Sequence, residues 1–204
     1  MKIVIIGASG TIGQFAKKAL EPRHEIISVS RKKCDICVDM ADISAVKSMF
    51  EKIGHIDAVV VTAGDAYFGP LAKTTADKFA IGINSKLSGQ INVVLSALPF
   101  ISDNGSITLT SGMIGHETIR QGTNIATANA GIEGFVRAAA VDLPRGIRIN
   151  AVAPAVLTES IKQYEELFPG YPSADGIDVG NAYRRSVESV QTGHIFRIGW
   201  SINI

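Results

Sequence analysis

The chain has no apolar run long enough to span a membrane or serve as a secretory leader. Its first run, Ile3 to Ile6, is four residues long and stops at Gly7, whereas a spanning helix needs about 20. It has little charge of either sign to spare. The 20 Lys+Arg and 19 Asp+Glu leave a net charge of +1, so neither a nucleic-acid surface nor a membrane partner is expected. Cysteine is scarce. Cys34 and Cys37 have C-x-x-C spacing, but no second pair completes a zinc site. They fall at a strand start and not at the opening of a helix, where the dipole would lower a thiol pKa. Two reduced structural thiols, no bound metal and a cytoplasmic location are expected. Internal repeats, low-complexity tracts and linkers are also missing.

What is present is an alternation. Short apolar runs at 2–6, 25–29, 36–38, 58–62, 106–110, 148–152 and 195–198 read as strands. Helical patterns fall at 12–20, 44–53, 75–98 and 123–143. With 46% hydrophobic and 19% charged residues in 204 positions, this fits one α/β domain spanning 1–204. The expected architecture is a Rossmann-type, doubly wound parallel sheet of about seven strands with helices on both faces. Parallel neighbours normally need a crossover of about a dozen residues, yet only a basic stretch separates the second and third strands. The third strand is therefore either an edge stub or one whose usual helix has been replaced by a loop.

Gly7-Ala8-Ser9-Gly10-Thr11-Ile12-Gly13 lies between the first strand and its helix. Glycines there permit a tight turn and let backbone N–H groups approach a pyrophosphate, which the helix N-terminus also favours. The second strand ends in Ser30-Arg31-Lys32-Lys33, where an acid would have gripped an adenosine 2′-hydroxyl. A guanidinium instead suits a 2′-phosphate, and no carboxylate is expected nearby to repel that phosphate, so NADP(H) is expected over NAD(H).

The glycine loop, Val38-Asp39-Met40, Thr62-Ala63-Gly64, Asn84, Thr110-Ser111-Gly112 and Arg148-Ile149-Asn150-Ala151-Val152-Ala153-Pro154 follow one another in this order. This succession resembles the short-chain dehydrogenases/reductases. The resemblance implies that Asp39 and Met40 meet the adenine and that Ala63 and Gly64 line the central cofactor groove. It also implies that the segment after Pro154 reaches the nicotinamide. Here Ala155 replaces the family's usual glycine, and Thr158 comes one residue early.

The family acts through a Ser, a Tyr, a Lys and an Asn. The Tyr transfers the proton, with the Lys lowering its pKa and holding the nicotinamide ribose. The Ser orients the carbonyl and the Asn anchors a water. Ser111 and Asn84 match two of these. Asn129-Ala130-Gly131-Ile132-Glu133-Gly134-Phe135 resembles the segment that begins at the lysine, and counting back four gives Ile125. Both missing side chains thus belong to one helical face. His116 is a candidate replacement acid, and Glu117 beside it reads equally as surface charge. Lys86, two residues beyond Asn84, is expected on another face.

Two functions follow from the resemblance. One is an oxidoreductase of a carbonyl or hydroxyl substrate that uses a non-standard acid, His116 or a bound water. The other is a non-catalytic, nucleotide-responsive binding or regulatory protein. The small residues of the 123–143 helix, with the family's habit of pairing helices across a two-fold axis, imply a homodimer or homotetramer. Residues 164–172 are expected to cap the pocket for an unknown small-molecule ligand.

Overall fold

The computed structural model describes residues 1–32 and 34–201; Lys33, the last residue of the basic turn, lies outside them. In chain order, β1 (Lys2–Ile6), α1 (Thr11–Leu20), β2 (Glu25–Ser30), β3 (Ile36–Cys37), α2 (Ile43–Ile53) and β4 (Ile56–Val61) form the first half. Then come α3 (Ala76–Gly82), a π-turn (Ile83–Ser88), α4 (Gly89–Ala97), β5 (Ile101–Thr110), α5 (Thr123–Asp142) and β6 (Arg148–Pro154). The chain continues through β7 (Val156–Leu157), α6 (Ile161–Tyr164), β8 (Ser173–Ala174), α7 (Gly176–Glu188) and β9 (Ile195–Ile198).

Seven strands make one parallel sheet in the order β3-β2-β1-β4-β5-β6-β9, and β7 pairs with β8 in a separate short ladder. Strand β1 shows why the runs are apolar throughout. Successive side chains point to opposite faces, so Ile3 and Ile5 enter one buried layer while Val4 and Ile6 enter the other. The first layer is closed by Ala16 and Leu20 of α1 with Val179 and Tyr183 of α7. The second is closed by Val46 and Phe50 of α2, Val93 of α4, and Ile132 and Val136 of α5. A strand covered on both faces favours apolar side chains at every position, and a polar one there needs a hydrogen-bond partner.

Two helices depart from the sequence reading, and the third strand fulfils it. The 75–98 helix is broken: the amide of Gly89 bonds Asn84 O, an i+5 bond, and the intervening turn is π. Helix α7 was not anticipated. Its outward positions Asp178, Asn181, Arg185 and Glu188 are exposed, and its glycines exist for packing: a Cβ on Gly180 would stand 2.6 Å from Phe15 O of α1. Strand β3 is both an edge stub and a strand without a crossover helix. It pairs only Val29 with Ile36 and Ser30 with Cys37, and Asp35 Oδ2 secures the connection by accepting from Ser28 N at 3.0 Å. Cys34 is half-buried there and Cys37 exposed.

The 148–154 motif serves the C-terminal part of the fold. Arg148 donates to Ser186 O and Val187 O at the end of α7, satisfying carbonyls a helix terminus leaves open. Asn150 receives His194 N and donates to Gln191 O, fixing the turn into β9. Among the described residues no helix is long and apolar enough to cross a membrane.

Candidate functional site

The C-terminal ends of β1, β2 and β4 open on a cleft of about 550 Å³. The glycine turn forms its floor. Gly7 has φ +90°, and a Cβ there would stand 2.7 Å from Thr62 Oγ1 and 2.8 Å from Ala63 N. A Cβ on Gly13 would collide with Gly7 O, so α1 rests directly on the turn. Ser9 donates its N–H and its hydroxyl to Ser30 Oγ at 3.2 and 2.9 Å, tying the turn to the end of β2. Gly10 caps α1 without a side-chain bond, leaving the first amides of the helix for an anion.

Asp39, Met40, Ala63 and Gly64 line the same cleft. Thr11 and Ile12 line a second recess of about 300 Å³ with Ala155, Val156 and Leu157, and it shares Gly10 and Thr62 with the first. Two contiguous recesses around a glycine cradle fit a dinucleotide. Two expected contacts sit elsewhere. Thr158 is turned to the β7–β8 ladder, with its hydroxyl on Ser173 Oγ at 2.9 Å. Pro154 is buried, and its carbonyl receives Met113 N.

The mouth of the cleft corrects one expectation. Arg31 does have a carboxylate beside it: its guanidinium meets Asp65 in bidentate fashion at 2.8 and 3.2 Å, and both side chains are mostly exposed. The two residues stand 34 apart in the chain, so the basic turn gave no sign of the pairing.

Ser111 follows β5, whose end is clamped to α4. Gln90 Nε2 donates to Thr110 O at 2.9 Å and its Oε1 receives Thr110 N at 2.8 Å, all buried. The Ser111 hydroxyl donates to Glu133 Oε1 at 3.2 Å. Glu133 is 1% exposed, and its other oxygen is 2.8 Å from His116 Nε2 and 3.5 Å from Arg137. His116 keeps about a third of its side chain in solvent and lies against Trp200. Glu133 was not singled out from the sequence, although it falls four residues after Asn129 and eight after Ile125, on the same helical face.

Ile125 is buried in an apolar cluster with Met113, Ile114 and Phe168. Asn129, only 2% exposed, donates to Ile114 O at 3.2 Å, while its Oδ1 has no hydrogen-bond partner among the described residues.

The π-turn reverses the expected roles of Asn84 and Lys86. Asn84 is exposed, and its side chain has no hydrogen bond among the described residues. Lys86 instead runs behind Gly64, where an added Cβ would lie 2.8–2.9 Å from its stem, and donates to Ser111 O at 3.3 Å. Lys86, expected to point away from Asn84's face, thus meets the peptide that carries Ser111 from within the π-turn. Burial lowers the Lys86 pKa to about 8.

A third recess, of about 480 Å³, lies between Met113, Glu117, the 169–172 segment and Trp200. Tyr171 OH donates to Thr118 O at 2.6 Å. The 164–172 segment thus borders two recesses, with Tyr164 on the second and Tyr171 on the third.

A family model described as enoyl-(acyl carrier protein) reductase matches residues 6–171. Hydroxynaphthalene reductase arp2 of Aspergillus fumigatus is 31% identical over 156 residues, which are 73% of this chain and 57% of that protein. The match therefore spans little more than half of that relative's length. Among solved structures, the protein lin1944 from Listeria innocua is 43% identical with a TM-score of 0.95, covering 97% of this chain and 98% of the other. A small-chain dehydrogenase in complex with NADPH is 25% identical with a TM-score of 0.86, covering 97% and 96%.

Proposed function

The chain belongs to the short-chain dehydrogenase/reductase family, and from that premise we propose that it is an NADP(H)-binding oxidoreductase of a carbonyl or hydroxyl group whose proton donor is not a tyrosine. The observation that carries this reading is the buried succession Ser111–Glu133–His116, which links the family's serine to a solvent-reached imidazole. When bound, the dinucleotide would supply or accept the hydride. Its holders would be Gly7, Gly10, Ser9 and Ser30 around the turn, Arg31 at the mouth, and Asp39, Met40, Ala63 and Gly64 along the groove.

In the reductive direction each member passes on one proton and receives one. Ser111 gives its hydroxyl proton to the carbonyl oxygen; His116, protonated from solvent, passes a proton to the Glu133 carboxylate, which passes it on to Ser111 and returns to a carboxylate. The carboxylate cannot rest charged and unpaired at 1% exposure, and its bonds to Ser111, His116 and Arg137 are what hold it there. Ile125 contributes no proton.

A screen of aldehydes and ketones with NADPH, read by cofactor oxidation, tests the reading. Activity that falls in both Ser111→Ala and Glu133→Gln supports it; activity untouched by both overturns the route. The burial of Ile125 among Met113, Ile114 and Phe168 favours a second reading, a nucleotide-responsive binding or regulatory protein without turnover. NADPH binding with no reduction across the screen would establish that one.

A further inference from the structure

Lys86 and Asn129 come from different elements and converge on one peptide. The Lys86 ammonium donates to Ser111 O, and a Cβ on Gly112, the next residue, would stand 3.2 Å from Asn129 Nδ2. An ammonium carries three donors, and among the described residues Ser111 O is the one acceptor Lys86 has. Asn129 presents the opposite deficit: its carboxamide nitrogen is used on Ile114 O, while the buried Oδ1 receives nothing. A buried amide oxygen without a donor is costly. Surplus donors on Lys86 and an orphaned acceptor on Asn129, both side chains being at the Ser111–Gly112 peptide, complement a hydroxyl, which accepts from the first and donates to the second.

On the NADP(H) reading given above, we infer that Lys86 and Asn129 together seat the ribose hydroxyls of the nicotinamide half of the dinucleotide. The positive charge that α5 lacks at position 129 is supplied from the π-turn, and the carboxamide left at 129 serves as the acceptor. Lys86 reaches the place by passing behind Gly64, which lines the dinucleotide cleft.

The rival account is a structural clamp. Lys86 and Gln90, one turn apart, hold the consecutive carbonyls of Ser111 and Thr110. A clamp would affect every ligand of the cleft alike, whereas a ribose seat is selective. The experiment therefore compares NADPH with 2′,5′-ADP, which carries only the adenosine half, by titration calorimetry on the whole chain. Lys86→Gln should weaken NADPH by about 10- to 100-fold, as expected for losing a charged hydrogen bond, and leave 2′,5′-ADP within about twofold. Asn129→Ala should be selective in the same sense. Lys86→Arg should keep most of the NADPH affinity, and Asn129→Lys added to Lys86→Gln should restore part of it.

Equal loss of both ligands in Lys86→Gln, or no loss of either, overturns the inference while leaving NADP(H) binding intact. A wild-type chain that binds neither ligand overturns the NADP(H) reading itself, and the ribose seat with it. The 2′,5′-ADP affinity also reports folding in each variant.

Discussion

Arg31 and Asp65 face each other at the mouth of the glycine-floored cleft, with the guanidinium nitrogens 2.8 and 3.2 Å from the two carboxylate oxygens. The pair is half in water, so it is worth at most about 1 kcal/mol. Its importance lies in competition. A 2′-phosphate needs the same guanidinium, and Asp65 both occupies it and repels the incoming charge.

NADPH should still bind more tightly than NADH, because a phosphate carries more charge than the carboxylate it displaces. Arg31→Ala should cost NADPH about 1.5–3 kcal/mol of binding and spare NADH. Asp65→Asn should tighten NADPH by up to about fivefold, the value of the exposed pair it removes. Calorimetric affinities that are equal for the two cofactors in the wild type would refute the preference.

Lys86 has a second measurable consequence, in the protein without cofactor. Burial holds its folded pKa near 8, against an ordinary 10.5. Below pH 8 the side chain is charged in both states and the folded state bears the full penalty. Between pH 8 and 10 the unfolded chain binds more protons, so Lys86 makes stability rise with pH. Lys86→Met should remove that rise and stabilise the apo protein at pH 7 by at most about 3 kcal/mol. Urea unfolding at several pH values measures it; a rise as steep in the variant as in the wild type would exclude Lys86 as its source.

The face of α5 left in solvent carries Thr127, Ala130, Gly134, Ala138 and, 85% exposed, Val141. Nothing lies within 4 Å of a Cβ built on Gly134. Ala139, from the same small-residue run, packs instead on the chain's own core. If this face pairs with a second copy, Ala138→Glu should shift a dimer or tetramer towards monomer in light scattering. Ala139→Glu should lower the melting temperature, since it forces a charge against the core. A wild-type monomer at about tens of micromolar would remove the interface.

What could be read from the sequence, and what could not, divides along physical lines. The alternation of Ile3 and Ile5 against Val4 and Ile6 reports a strand buried on both faces, and the seven sheet strands follow from such runs. Helix α7 was hidden because Gly176 and Gly180 weaken helical propensity while serving a contact with Phe15 that no local pattern reveals. The π-turn is invisible to a 3.6-residue period, and it exchanges Asn84 for Lys86. Glu133 was within reach, at the 125, 129, 133 spacing. Asp65 was not, since only the folded sheet brings it to Arg31.

The decisive prediction concerns Ile125 and Asn129, which the proposed reading sets at the family's tyrosine and lysine positions. Ile125 is 8% exposed among Met113, Ile114 and Phe168, so Ile125→Tyr must displace a neighbour, at a cost of about 1–3 kcal/mol in stability. Asn129→Lys would bring a second ammonium towards the peptide that Lys86 already holds, and like charges in a partly buried space repel. The double variant Ile125→Tyr, Asn129→Lys should therefore melt lower than the wild type, and Lys86→Gln added to it should recover part of the loss. Its turnover should nonetheless rise over a slow wild type, because a positioned general acid contributes about 10²–10⁴-fold. The gain should survive Glu133→Gln, since a tyrosine bypasses the Ser111–Glu133–His116 route, whereas wild-type activity should not. Single-turnover NADPH oxidation separates these cases. A double variant that folds, binds NADPH and still reduces nothing would mean that the recess bordered by Met113 and Tyr171 does not admit a carbonyl.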